Sequence, residues 1–298
     1  MHGSRTRSRV AGTVIVTLTT AALAACSSGG SPGGQPARPA EVKRGQIFAA
    51  PKDLLAAGQP QPNGTVWALA GNASSKGLFD INLSDGTGIG SLSVSNAARS
   101  VTESLSGVIG LALGTYKTGA LELLNSATRK VIRTIPLGAP ARDVIVGSDG
   151  ATFYVLNGAA QSTSVTIVNS QTGAVQDTIP VPLNTVSIAP DSIGVSVYAL
   201  QPDGQVSQVA VAGGQVMTSF ATGPGARSIA LSPDGSLYVL RNDGQYANVA
   251  KVNIATESVR QVLPAPANSL QVLLSADGNE LYQLVGTSSY GNIQVFKS

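Results

Sequence analysis

The side chains that carry out most protein chemistry are almost missing from this chain. Its 298 residues include one histidine, His2, and one cysteine, Cys26, and both lie near the N-terminus. We expect His2 to be removed with an export signal and Cys26 to be modified. A Ser–His–Asp triad, a Cys–His pair and a zinc site with nitrogen or sulfur ligands would then all be excluded. We therefore expect no enzyme of these classes.

Carboxylates are the remaining groups that are suited to catalysis or metal binding. Glu103 and Asp143 fall in neighbouring copies of a repeat, in strands that we predict to line a central channel. Carboxylate oxygens bind hard cations such as calcium, so these two residues are weak candidates for a metal or acid–base site. Two carboxylates are few ligands for a metal ion. The alternative is that Glu103 and Asp143 form ion pairs with the nearby Arg99 and Arg142. We expect no cofactor.

Arginine recurs at one place in the repeat, in the triplets Ala98-Arg99-Ser100, Ala141-Arg142-Asp143 and Ala226-Arg227-Ser228. The matching positions in the other copies are Ala56, Asn184 and Leu270. Guanidinium groups bind carboxylates and phosphates through paired hydrogen bonds. One interpretation is that the three arginines converge on an anionic ligand. The other is that each arginine ties its own unit to the next by bonding loop carbonyls or Asp143.

The element that positions these residues is a unit of about 43 residues that repeats six times after residue 57. Its mark is a turn dipeptide whose first members lie 43, 43, 42, 43 and 43 residues apart: Asn63-Gly64, Ser106-Gly107, Asp149-Gly150, Asp191-Ser192, Asp234-Gly235 and Asp277-Gly278. Periods of this length are typical of solenoids and propellers.

Within one unit, four short segments read as β-strands. In the third copy they span residues 142–146, 152–156, 164–168 and 174–180, are rich in β-branched and aromatic residues, and are separated by turn residues. No window between residues 58 and 298 has helical periodicity. The chain is predicted to be all-β, a single β-propeller of six four-stranded blades. Seven blades, the alternative, would need a copy that we do not find.

The sixth copy lacks a fourth strand, because only Lys297 and Ser298 follow its third strand. Residues 46–51 resemble the end of a fourth strand, so we expect an N-terminal strand to pair with the last blade and close the ring. The propeller domain then spans residues 45–298.

Three segments resemble the YVTN-type β-propeller repeat: residues 231–240 (LSPDGSLYVL), residues 165–169 together with 178–181, and residues 134–138 (TIPLG). The first copy departs most from the pattern, since it has no proline or tyrosine at the matching places. The resemblance implies the propeller fold, and it says little about function because such folds host many activities.

Residues 1–25 are predicted to be a lipoprotein signal peptide, with Arg5, Arg7 and Arg9 preceding a short apolar segment. The sequence Leu23-Ala24-Ala25-Cys26 resembles the bacterial lipobox. That resemblance implies a diacylglycerol on the sulfur of Cys26 and cleavage before it. An ordinary secretory signal with an incidental cysteine is the alternative. Residues 26–44 are expected to be the lipidated cysteine and a flexible Gly/Ser/Pro linker.

The charge of the exported chain argues against nucleic-acid binding. Three of the 19 basic residues lie in the signal, which leaves 16 basic against 16 acidic residues. A neutral chain has no electrostatic support for binding a polyanion.

Propeller geometry sorts the remaining charges onto two faces. The start of each innermost strand lies on the same face as the loop between the second and third strands. These loops carry Lys76, Tyr116, Lys117, Arg241, Tyr246 and Tyr290. The two tight turns of each unit lie on the opposite face, with Asp85, Asp149, Asp191, Asp234, Glu257 and Asp277. We expect the four aspartates of the repeated turn dipeptides to bond turn N–H groups.

The sequence therefore predicts a lipid-anchored protein on the extracytoplasmic face of the cell membrane, which binds an envelope protein or glycan through its arginine-bearing face. A cation-dependent propeller hydrolase or lactonase is the first alternative. A structural envelope protein without a small-molecule ligand is the second.

Overall fold

A computed structural model describes residues 44–83, 85–159, 161–243 and 246–297. These residues form six four-stranded antiparallel sheets arranged as a β-propeller. The predicted fold class is thereby confirmed, with six blades. The predicted signal peptide, the lipobox-like residues Leu23, Ala24 and Ala25, Cys26 and most of the predicted linker lie outside the described residues.

Five blades consist of consecutive strands. Blade 1 comprises β2 (Leu54–Ala57), β3 (Thr65–Gly71), β4 (Lys76–Asn82) and β5 (Gly88–Val94). Blade 2 comprises β6 (Ala98–Glu103), β7 (Val108–Gly114), β8 (Gly119–Asn125) and β9 (Lys130–Pro136). Blade 3 comprises β10 (Ala141–Val146), β11 (Thr152–Ala159), β12 (Ser162–Asn169) and β13 (Val175–Pro180). Blade 4 comprises β14 (Ser187–Pro190), β15 (Ser196–Leu200), β16 (Gln205–Ala210) and β17 (Val216–Ala221). Blade 5 comprises β18 (Ala226–Leu231), β19 (Ser236–Asn242), β20 (Ala247–Asn253) and β21 (Ser258–Ala265).

Blade 6 is assembled from both ends of the described chain. Its first three strands are β22 (Ser269–Leu274), β23 (Glu280–Gly286) and β24 (Gly291–Lys297). Its outermost strand is β1 (Arg44–Ala50), which pairs antiparallel with β24 in the order β1-β24-β23-β22. This is the pairing that the short sixth repeat predicts.

The turn after each innermost strand needs a residue with positive φ, and glycine supplies it without steric cost. Gly64, Gly107, Gly150, Gly235 and Gly278 have φ between 63° and 79°. Blade 4 departs from this pattern. There the residue with positive φ is Gly194, at 72°. It lies two positions after Ser192, which occupies the glycine position of the repeated turn dipeptide.

The core consists of the six interfaces between neighbouring blades. Each of six buried apolar clusters combines residues of two adjacent blades, for example Trp67 and Leu78 of blade 1 with Ile109 and Leu111 of blade 2. The second strand of a blade is buried on both faces, whereas the outermost strand β9 is exposed along most of its length. A blade therefore buries its apolar surface against its neighbours.

Hydrogen bonds near the axis join every pair of neighbouring blades. In ring order they are Gln61 Nε2 to Glu103 O (3.1 Å), Ser100 Oγ to Asp143 Oδ1 (2.7 Å), Ser148 Oγ to Ser192 O (2.6 Å), Ile229 N to Ser187 Oγ (3.3 Å), Val272 N to Ser228 Oγ (3.2 Å) and Ala57 N to Gln271 Oε1 (2.9 Å). Three of these bonds satisfy backbone N–H groups of innermost strands, which have no further strand to pair with.

Candidate functional site

A β-bulge explains how the repeated arginines reach the surface. The pairing of the first two strands shifts register between Ala98 and Ser100 in blade 2, and at the matching places in blades 3 and 5. The residue that the ladder skips is Arg99, Arg142 or Arg227, and all three are exposed. A bulge leaves one residue out of the pairing and redirects its side chain.

The same bulge occurs in two blades without arginine. In blade 6 the skipped residue is Leu270, as the spacing of the repeat predicts. In blade 1 it is Leu55 rather than the predicted Ala56, because the register shifts between Leu54 and Ala56. Leu55 is 41% exposed, whereas Ala56 is buried. Blade 4 has no such shift in its first pair of strands, and Asn184 precedes β14 with φ of 62°.

The hydrogen bonds of the three arginines fit neither sequence-based interpretation completely. Arg99 Nε donates to the carbonyl of Gly114 at 3.1 Å, and Arg227 Nε donates to the carbonyl of Asn242 at 3.0 Å. Both acceptors end the second strand of the arginine's own blade, so neither bond ties one blade to the next. The side chain of Arg142 has no hydrogen-bond partner among the described residues. Most guanidinium N–H groups therefore remain available to a ligand.

Arg99 and Arg142 line one open cleft between the first three blades, on the face where the innermost strands start. The cleft has a volume of about 610 Å³, and Leu55, Lys76, Tyr116 and Pro140 also line it. No acidic residue among those described lines the cleft. Tyr116 is 92% exposed and offers a flat surface beside the two guanidinium groups. We call this site the arginine cleft.

Lys76 also lines the cleft, and its predicted position in a loop is wrong. It is the first residue of β4 and is 7% exposed. Its Nζ donates to the carbonyl of Ala98 at 2.5 Å, which joins blade 1 to blade 2. Burial and the positive charge of Arg99 lower the pKa of Lys76. The side chain therefore has a structural role at the base of the cleft.

The other residues assigned to this face lie outside the cleft. Arg241 belongs to β19 rather than to a loop. It donates to Thr222 O at 2.6 Å and Asn248 Oδ1 at 2.7 Å, and partial burial lowers its pKa. These bonds give Arg241 a structural role between blades 4 and 5. Four further residues are exposed and do not line the arginine cleft: Lys117, Arg227, Tyr246 and Tyr290.

On the opposite face, which we call the turn face, carboxylates bond their own turns. Asp149 accepts N–H bonds from Ala151 and Thr152, and Asp191 accepts them from Ile193, Val195 and Ser196. Asp234 and Asp277 accept from Ser236 N and Asn279 N. The predicted structural role of these four aspartates is confirmed. Hydrogen bonds to the charged form lower the pKa values of Asp85 and Asp277. At Asp149 and Asp234 burial opposes this effect, but the hydrogen bonds together outweigh it and lower the pKa of both groups.

The two weak metal candidates lie in neighbouring innermost strands, as predicted, but do not form one site. Asp143 accepts from Ser100 Oγ and Val144 N, and Glu103 takes part in neither bond. Burial raises the pKa of both carboxyl groups. Pairing with Arg99 and Arg142 is wrong, since no ion pair among the described residues involves Glu103 or Asp143. In the described part of the chain, no three His, Cys, Asp or Glu side chains cluster as metal ligands would.

The sequence did not reveal the bulge or the character of a second cavity. That cavity lies on the propeller axis, where a central channel was predicted, and it opens at the turn face. Glu103 lines it as predicted, whereas Asp143 does not. The bulge has a weak signal, namely the recurrence of Ala-Arg before the apolar residues of the innermost strand. The apolar wall of the cavity has none, because it comes from six segments that are about 43 residues apart in the chain.

Comparison with protein-family models gives no match for this chain, and comparison with curated protein sequences gives none either. The likeness to YVTN-type repeats therefore stays a prediction. Among the residues that the structure describes, there is no apolar helix long enough to cross a membrane.

Proposed function

We propose that this protein is a binding module of the bacterial cell envelope, which takes an anionic group of a protein or glycan partner into the arginine cleft. The observation that carries the proposal is the pairing of Arg99 and Arg142 in one cleft without an acidic neighbour. A guanidinium group binds a carboxylate or phosphate with two parallel hydrogen bonds.

The tyrosine and the shape of the cleft support this proposal. Tyr116 stands almost fully exposed at the cleft, and aromatic residues and arginine are enriched in binding interfaces. The volume of about 610 Å³ is suited to a sugar ring or a few side chains.

The first experiment tests whether the cleft captures a partner. A photo-crosslinking amino acid replaces Tyr116, and intact cells are irradiated before the captured molecule is identified by mass spectrometry. We expect Arg99→Ala with Arg142→Ala to reduce capture by at least about 100-fold, since each of the two lost charge-assisted hydrogen bonds contributes roughly 1.5–3 kcal/mol.

Arg227→Ala is the matched control, because Arg227 occupies the same bulge position but lies outside the cleft. It should leave capture unchanged. Equal capture by the wild type and the double variant would contradict the proposal, and it would favour a structural envelope protein without a ligand at this face.

We also propose that the chain is anchored to the membrane by a lipid on Cys26. The support is the lipobox-like sequence and the position of the only cysteine. Two acyl chains give stable anchoring. Metabolic labelling with a fatty acid should tag the wild-type protein, and Cys26→Ala should abolish the label. An equally labelled Cys26→Ala variant would rule this anchor out.

The direction of β1 determines the face at which the preceding chain joins the propeller. Arg44 pairs with Phe296 at the end of β24, and Ala50 pairs with Gly291 at its start. Because third strands run toward the turn face, β1 begins there. The chain before Arg44 therefore joins the propeller at the turn face, whereas the arginine cleft opens at the other end of the ring.

A further inference from the structure

The axial cavity is a pocket that the proposed function does not use. It has a volume of about 350 Å³, and all six innermost strands contribute to its wall. This volume lies at the lower end of the usual range of roughly 300–1,000 Å³ for ligand pockets. The cavity opens at the turn face, away from the arginine cleft.

The wall of the cavity is mainly apolar. Its sides are formed by aliphatic residues such as Val146, Ile229 and Leu273, and prolines such as Pro190 and Pro233 stand near the entrance. Ser187 and Gln271 also line it, but both already bond backbone N–H groups of the next blade. An apolar wall of this kind favours a ligand with an aliphatic body.

One polar group in this wall has no partner. Thr102 lines the cavity and is fully buried, and its hydroxyl oxygen makes no hydrogen bond to any described residue. Buried hydroxyl groups are nearly always hydrogen-bonded, because leaving one unpaired destabilises the fold. A ligand with one oxygen atom near Thr102 would satisfy this group.

The charge at the cavity excludes an anionic ligand. Glu103 is the one charged residue among those described that line it. No cation lines the cavity to balance a ligand carboxylate or phosphate, so a neutral ligand fits best.

We propose that the axial cavity binds a small neutral molecule with an aliphatic body and one hydroxyl or carbonyl group, which exchanges a hydrogen bond with the Thr102 hydroxyl. The proposal is independent of the arginine cleft, since the two sites lie at opposite ends of the ring and share no lining residue.

The test uses n-decanol as the probe and isothermal titration calorimetry as the measurement. We expect n-decanol to bind the wild type and decanoate to bind more weakly, because Glu103 repels a carboxylate. Thr102→Val keeps the shape of the side chain but removes the hydroxyl. It should weaken n-decanol binding by roughly three- to ten-fold, the usual effect of one hydrogen bond.

Thermal unfolding of the free protein gives a second readout. Thr102→Val should leave the Tm unchanged or raise it, because it removes an unpaired buried hydroxyl group. A purely structural role of the hydroxyl predicts the opposite, a lower Tm. Weaker binding together with an equal or higher Tm is therefore the result that supports the proposal.

A pair of entrance variants keeps the test independent of Thr102. Ser192 is exposed and lines the cavity entrance, whereas the neighbouring Ile193 is 77% exposed and does not line it. Ser192→Trp should abolish n-decanol binding, and Ile193→Trp should leave it intact. The proposal is overturned if n-decanol gives no binding up to its solubility limit, or if Thr102→Val and Ser192→Trp both bind as the wild type does.

Discussion

The two ends of this propeller carry repeated charged residues, but they use them differently. At the turn face, Asp149, Asp191, Asp234 and Asp277 accept hydrogen bonds from their own turns. At the other end, a bulge excludes arginines from the ladder, and the Arg142 guanidinium group has no hydrogen-bond partner among the described residues. Repetition alone therefore does not separate structure from function in a repeat protein. What separates them is whether the charged group is saturated by hydrogen bonds within the fold or keeps most of its bonding capacity, as Arg99 and Arg142 do.

The largest effect that we expect concerns a turn aspartate. Asp191 accepts N–H bonds from Ile193, Val195 and Ser196 and an O–H bond from Ser196. Asp191→Ala should lower the free energy of unfolding by about 2 kcal/mol, because the buried groups of Ser196 lose an acceptor. Urea denaturation measures this change. Asp191→Asn keeps one acceptor oxygen and should lose less. If Asp191→Ala lowered the free energy of unfolding by less than Arg142→Ala does, the structural role of the turn aspartates relative to the arginines would be contradicted.

The second effect is a pH dependence of opposite sign for two groups of carboxylates. Burial raises the pKa of Asp143 above its ordinary value of 3.8, so its contribution to stability is largest below that pH. That contribution falls as the pH rises through the folded-state pKa. The turn aspartates Asp149 and Asp234 have lowered pKa values, so their contribution is present above pH 3.8 and is lost on acidification.

Asp143→Asn separates the two groups, because an amide resembles the protonated carboxyl group. We expect the variant and the wild type to have similar Tm values at about pH 3, and the variant to have the higher Tm at about pH 7. Thermal unfolding across this range measures the difference. A variant that loses more stability at about pH 7 than at about pH 3 would show that the folded state holds Asp143 in the charged form and would contradict this prediction.

The smallest effects concern the arginines and sharpen the comparison within one face. Arg99→Ala and Arg227→Ala each remove one hydrogen bond to a strand carbonyl, so each should reduce the free energy of unfolding by about 0.5–1 kcal/mol. Arg142→Ala removes none and should stay within about 0.5 kcal/mol of the wild type. Chemical denaturation measures all three variants. A large loss in the free energy of unfolding for Arg142→Ala would show that Arg142 has a structural role, as the turn aspartates do.

The sequence was sufficient to predict the fold because the turn residues and strand patterns are local and repeated. The spacing of the repeated turn dipeptides and the absence of helical periodicity predict six four-stranded blades. The short last repeat led to the closing strand. Each of these features depends on residues within one unit, or on the requirement that every blade of a closed ring has four strands.

The candidate site was harder to predict because it depends on register and on distant neighbours. Leu55, rather than Ala56, occupies the bulge of blade 1, since a one-residue shift in pairing is not visible in the sequence. Lys76 was expected in a loop, but it starts a strand and reaches the next blade. The unpaired hydroxyl of Thr102 becomes evident only when the walls of the axial cavity are assembled.

The pairing of β1 with β24 also has a mechanical consequence. Blades 1 to 5 are each continuous in sequence, so covalent hairpins hold their strands together. In blade 6 the outermost strand is held only by the non-covalent ladder between β1 and β24. A pulling force applied at Arg44 would act on this ladder before it reaches any other blade. Such a force would therefore open the ring at this seam, while the five continuous blades keep their strands.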